Sequence, residues 1–147
     1  LFNRFEYIFN KEKKYAGGPT LRPIKVEENL NFNIYNLTVI PISYQHAKLQ
    51  VYGYRLNNFA YLTDLKTIEK SEIKKLENLE VLVLNCIRIE PHYSHLNLEE
   101  ALNLIKIIKP KKTYLTHISH LLGFHNEIQK KLPDSVYLSY DELTIEL

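Results

Sequence analysis

The sequence predicts a layered α/β domain, and three observations lead there. The first half carries β-rich runs broken by turn residues. The second half alternates short continuous apolar runs with helical patterns, and one of those helices bears explicit start and stop signals. At 147 residues with 45% hydrophobic content, the chain has the material for one domain with a real core.

The elements follow in order. "LFNRFEYIF" places Phe2, Phe5 and Phe9 at helical spacing, and "NKEKKYAGGPTLRP" then breaks the pattern, so a short helix and a loop are expected. In "LNFNIYNLTVIPIS" the period becomes two, with Leu37, Val39 and Pro41 on one side and Thr38, Ile40 and Ile42 on the other. This reads as a strand, with Asn33 and Asn36 marking the turn before it. "LQVYGYRL" and "FAYLTD" form a hairpin around Asn57-Asn58, a pair that tolerates positive φ.

Beyond Asp64, "SEIKKLENL" is helical and "EVLVLNC" has the continuous apolar character of a strand buried on both faces. "HLNLEEALNLIKIIKP" is the clearest helix. Asn97 and Glu100 make a capping box, Ala101, Leu102, Ile105 and Ile108 form the buried stripe, and Pro110 ends it. "KTYLTH" reads as a strand, "GFHNEIQKKLP" as a helix and "SVYLSYDELTIEL" as a terminal pair of short strands.

Composition excludes several function classes. Nineteen basic against seventeen acidic residues give a net charge of +2, far from the balance of a dedicated nucleic-acid binder. No run approaches the roughly twenty apolar residues of a membrane helix. The one cysteine, Cys86, rules out an internal disulfide and suits a reducing, cytoplasmic address. The sequence opens on Leu1 and contains no methionine, from which a processed or truncated start is expected.

Chemistry concentrates in the histidines. His117, His120 and His125 fall within "THISHLLGFH", a cluster whose spacing alone does not decide between a metal site and ordinary polar residues. Three predicted strands end in metal-binding residue types: "TVIPISYQH" at His46, "FAYLTD" at Asp64 and "KTYLTH" at His117. If the strands share a sheet, these ends converge on one edge, where α/β proteins commonly place their sites. Asp64 equally suits capping of the next helix or turn, and a strand-end histidine is commonly a satisfied polar residue. The three together narrow the gap between the two readings.

"HAKLQVYGYRLNNFAYLTDLKTI", "VLVLNCIRIEPHYSHLNLEEAL" and "YLTHISH", in this order and spacing, resemble the C-terminal half of metallo-β-lactamase-fold hydrolases. The nearest branch is the phosphoribosyl cyclic phosphate phosphodiesterases, whose ending "SYDELTIEL" also resembles. The resemblance runs from about His46 to Leu147. It implies that His46 completes the shell of a first divalent metal, Asp64 bridges two metals and His117 binds the second. Imidazole nitrogen suits zinc or manganese, and a bridging carboxylate holds two cations close enough to share a hydroxide. It further implies that His95 faces the substrate as general acid or phosphate contact. The plainer reading of His95 is a residue that merely flanks a helix. His120 and Asp141 are expected to support the ligands or touch the substrate, and His92 and His125 to lie on the surface, pointing elsewhere.

Complete members of that family carry a His-x-His-x-Asp-His motif, and no His-x-His occurs in these 147 residues. Residues 1–147 are therefore expected to be the C-terminal part of one domain. The expected fold is one mixed sheet with flanking helices from a four-layer αββα sandwich, its inner face left with a large exposed apolar surface. The expected partner is a small phosphodiester, cleaved to a phosphomonoester and a free hydroxyl, with no membrane and no nucleic acid, and with a homodimer left open. Two alternatives stand beside this. One is an RNA-end-trimming nuclease of the same fold, disfavoured by the lack of basic stretches beyond "KEKK" and "KPKK". The other is a non-catalytic α/β interaction domain.

Overall fold

Two-residue turns build the first half of the sheet. The structure, a computed structural model, describes residues 4–9, 17, 19, 21, 23–27 and 30–146. Strands β1 (Phe32–Ile34), β2 (Leu37–His46), β3 (Leu49–Leu56) and β4 (Phe59–Leu62) run antiparallel to their neighbours through turns at Tyr35-Asn36, Ala47-Lys48 and Asn57-Asn58. The first residue of each turn is left-handed, with φ of 54°, 52° and 51° for Tyr35, Ala47 and Asn57. Positive φ at that position matches the twist of the flanking strands. Asn57 was expected to do this. Asn33 was assigned to a turn but is a strand residue paired with Thr38, and the turn falls two residues later.

From β4 onward the sheet is parallel, continuing through β5 (Val81–Asn85), β6 (Lys112–Thr116) and β7 (Val136–Leu138), so all seven strands lie in chain order. Helices α2 (Lys70–Lys74), α3 (Leu98–Ile108) and α4 (His125–Gln129) fill the crossovers. Leu62, Leu84, Leu115 and Leu138 pair across four strands, and this buried row belongs to the same core as Ala101, Leu104, Ile105 and Ile108 of α3. Gly53, opposite Ile42, permits close packing there: a Cβ would stand 2.7 Å from the Tyr61 carbonyl and against the Leu62 side chain.

The other sheet face bears a second cross-strand row, Pro41, Tyr54, Tyr61, Val83, Tyr114 and Tyr137. Tyr114 stacks on Tyr137 at 5.4 Å, while Tyr54 and Tyr61 remain 36% and 45% exposed. The face is aromatic and partly open, with polar hydroxyls among its apolar rings.

Asn97 caps α3 as expected. Its side chain accepts from the Glu100 amide, Glu100 accepts from the Asn97 amide, and Lys109 leaves the helix left-handed at φ 56° just before Pro110. The buried stripe uses Leu104, whereas Leu102 is only partly covered. Helix α1 (Glu6–Phe9) buries nothing, and Phe2 lies outside the described residues. The last segment departs from expectation. Only β7 forms, because the chain turns at Tyr140, whose carbonyl accepts from Leu143, and Glu142 takes φ 69°. A second terminal strand is absent among the described residues.

Candidate metal centre

Strand direction decides where the side chains emerge. β2 and β4 are both antiparallel to β3 and therefore run the same way, and β5 and β6 are parallel to β4. The C-terminal ends of these four strands share one edge. His46 is the last residue of β2, Asp64 lies two residues past β4, His117 one past β6, and His95 on the connection from β5 to α3. Asp64 and His117 both adopt left-handed backbone, at φ 60° and 61°. For residues with a Cβ this conformation is uncommon, and it turns each side chain out of the strand path at the edge.

The His46 ring is oriented by two carbonyls. Its Nδ1 lies 3.1 Å from the Asp64 oxygen and 3.0 Å from the Ser94 oxygen. Carbonyls only accept, so Nδ1 carries the proton and Nε2 keeps the lone pair a metal needs. His95 Nε2 stands 3.0 Å from Asp64 Oδ1, its Nδ1 meets Ser94 Oγ at 3.0 Å, and the residue is only 8% exposed. Desolvation holds the His95 imidazole below its ordinary value, with help from the nearby His117 and His46 and against the opposing hydrogen bond and charge of Asp64. His117 Nε2 is 3.8 Å from the same Asp64 oxygen, and its ring lies 4.6 Å from that of His95.

His46, Asp64 and His95 each offer a ligand atom, and these atoms all lie within 4.8 Å of one another. Imidazole nitrogen and carboxylate oxygen suit a divalent transition metal, and His46 Nε2 with the Asp64 carboxylate fits such an ion, whereas His95 Nε2 faces that carboxylate and carries a proton. His117 borders this trio from its more exposed side. Asp64 does not cap α2, which starts six residues later at Lys70 behind Glu69, whose side chain makes no cap bond. The His95 ring is buried between Asp64, Ser94 and its neighbouring histidines.

His92 corrects the sequence reading. Expected on the surface and pointing elsewhere, it is half-buried with Nδ1 3.2 Å from His95 Nδ1 and 3.3 Å from Ser94 Oγ. Its imidazole too is held below the ordinary value, first by desolvation and then by the charges of His95 and Arg88. His125 is exposed as expected, yet it lines a cleft of about 330 Å³ with His117, Ser139, Tyr140 and Asp141. Asp141 lines the same cleft as His117. His120 opens the 3₁₀ turn His120–Leu122 and is exposed. Ser94, which the sequence reading passed over, joins His46, His92 and His95. Its only sequence signal is its place in "HYSH".

Comparison with known proteins places the chain in a family. The chain matches the family model of the beta-lactamase superfamily domain over residues 1–118. It is 34% identical over 142 residues to an octanoyltransferase of Porphyromonas gingivalis, which covers 96% of this chain and 29% of that protein. Among solved structures, a diphosphatase of the PhnP family superposes with a TM-score of 0.87 at 31% identity, covering all of this chain and 54% of that one. The metallo-β-lactamase-fold protein YhfI of Bacillus subtilis gives 0.69 at 19% identity, over 94% of this chain and 59% of that one, a likeness of fold alone. The chain thus spans less than a third of that octanoyltransferase and about half of that diphosphatase. With its sheet, its flanking helices and its family match all in accord, the chain belongs to the beta-lactamase superfamily and has the metallo-β-lactamase fold.

Proposed function

We propose that this chain supplies the C-terminal part of a metal-dependent phosphodiesterase that acts on a small, cyclic phosphodiester through two divalent ions, zinc or manganese. The observation that carries the reading is the meeting of His46, Asp64, His95 and His117 at one sheet edge, within a family whose PhnP-family diphosphatase superposes at 0.87. On this reading a segment bearing His-x-His-x-Asp-His completes residues 1–147, and the protein works in the cytoplasm.

When bound, the ions would lower the pKa of water and stabilise charge on a phosphoryl oxygen. His46, with its proton fixed on Nδ1, presents Nε2 as a ligand. Asp64 would hold the ions through its carboxylate, whose Oδ1 lies 3.0 Å from His95 Nε2 and 3.8 Å from His117 Nε2. His95 holds a proton at Nε2 and delivers it to the leaving oxygen, or contacts the phosphoryl group directly. Acyl transfer, suggested by the octanoyltransferase likeness, gains no support from the thiol. Cys86 is fully buried and desolvation pushes it up to about 12, which leaves it without thiolate character at neutral pH.

Metal content and turnover, measured side by side in the full-length protein, test the assignment. His95→Ala should keep metal near the wild-type level and lose about a hundredfold or more in turnover. Asp64→Ala should lose metal and activity together. If His95→Ala sheds metal as Asp64→Ala does, His95 is a ligand. If it retains full turnover, it has no catalytic task.

A further inference from the structure

The end of β5 carries a polar residue that apolar packing does not call for. Asn85 closes the run "VLVLN" and is fully buried. Its Oδ1 accepts the Leu65 amide at 2.8 Å and its Nδ2 donates to the Leu65 carbonyl at 3.0 Å, so one carboxamide grips one residue on both sides. The Leu65 carbonyl also accepts the Leu96 amide at 3.0 Å, and Cys86, next to Asn85, donates its amide to the Thr116 carbonyl at 2.8 Å. Leu65 follows Asp64, Leu96 follows His95, and Thr116 precedes His117. The backbone beside Asp64 and His117 is thus tied to the end of β5 and the residue after it, and the backbone beside His95 is tied to Leu65 in turn.

We propose that Asn85 is a positioning residue that sets the Asp64 carboxylate against His95 and His117. The inference rests on the hydrolase reading above. Burying a carboxamide among valines and leucines costs free energy that a leucine there would not incur, and its two bonds recover that cost only by holding Leu65. Holding Leu65 fixes the peptide that follows Asp64, whose left-handed backbone is unfavourable for a residue with a side chain and persists only when its surroundings determine it. Outer partners that orient metal ligands in this way commonly matter about ten- to a hundredfold in metal affinity or activity.

The test uses the full-length protein with Asn85→Leu, with the milder Asn85→Ser should the first not fold, and with Val83→Ala as a core control in the same strand. Hydrogen exchange of the Leu65 amide relative to Leu84 is read without metal, then zinc affinity, then kcat and KM. The Asn85 variants should speed Leu65 exchange at least about tenfold, weaken zinc binding by about tenfold or more, and lower kcat while KM stays within about twofold. Val83→Ala should lower Tm and leave the other readings within about twofold. Wild-type exchange at Leu65 in an Asn85 variant, wild-type zinc affinity and kcat in that variant, or equal losses in Val83→Ala would each overturn the proposal. A wild-type protein that binds no zinc or manganese would instead sink the hydrolase reading, and Leu65 exchange would still decide whether Asn85 is the clamp.

Discussion

Replacing Asn97 tests how the segment that carries His92, Ser94 and His95 is anchored. Asn97 is 4% exposed and does two separable jobs. Its Oδ1 accepts the Glu100 amide at 2.9 Å, and its Nδ2 donates to the Ile89 carbonyl at 3.0 Å. The backbone beside it is tied as well, since the Leu98 amide donates to the Arg88 carbonyl at 2.9 Å. Asn97→Ala loses an N-cap, worth about 1 kcal/mol, and strands the Ile89 carbonyl, worth about 1 kcal/mol more. Asn97→Asp keeps the acceptor, and keeps a negative charge at the helix start where the dipole favours it. It loses only the donor, for a cost of about 1 kcal/mol. Urea unfolding followed by circular dichroism should give a total near 2 kcal/mol for Ala and about half that for Asp, at an unchanged m-value. An Ala variant within about 0.5 kcal/mol of wild type, or an Asp variant as damaged as Ala, would refute the division of labour.

Other outcomes follow from the same geometry. Partial burial pushes the Glu100 carboxyl up, but the hydrogen bonds from Lys66, 2.7 Å away, and from the Asn97 amide, together with the Lys66 charge, hold it below its ordinary value. A carboxyl depressed in the folded state contributes stability above its unfolded pKa and loses it as pH falls through the folded one. Glu100→Gln should therefore be less stable than wild type at neutral pH, with the gap closing in acid unfolding series as Glu100 itself protonates. A gap that stays constant with pH would rule out the ionic contribution. Gly53→Ala should lower Tm, with a cost of about 1–3 kcal/mol from overpacking against Tyr61 and Leu62. Calorimetry showing no change would mean that β3 and β4 can separate to admit a methyl group.

Much of this architecture was legible because its causes are local. The Asn97-Glu100 spacing specifies a cap by itself, and "EVLVLNC" reads as a doubly covered strand because five consecutive buried positions, Val81–Asn85, leave no polar face. The convergence of His46, Asp64 and His117 could be anticipated from strand ends, since in a sheet with this ordering the ends of β2, β4 and β6 fall on one side. What stayed hidden depends on distant partners. Ala47 turns left-handed with no glycine or asparagine beside it to announce the turn, because register on either side closes it. His92 is drawn to His95 by the fold of one loop, three residues apart and invisible to helical or strand period. Asn85, unremarked within an apolar run, is explained only by its partner 20 residues away. Nor does the helical pattern of "SEIKKLENL" reveal that the Glu72 carboxylate is buried against the Ser43 amide and Lys75.

The central claim is that divalent metal binds where β2, β4 and β6 end. Anomalous diffraction collected on both sides of the zinc or manganese absorption edge, from crystals of the full-length protein, locates such ions directly. Anomalous peaks are expected within coordination distance, about 2.0–2.2 Å, of His46 Nε2 and of an Asp64 carboxylate oxygen, with a second ion held by His117. Peaks elsewhere, or a fully loaded protein whose density at Asp64 shows only its hydrogen bond to His95, would contradict it.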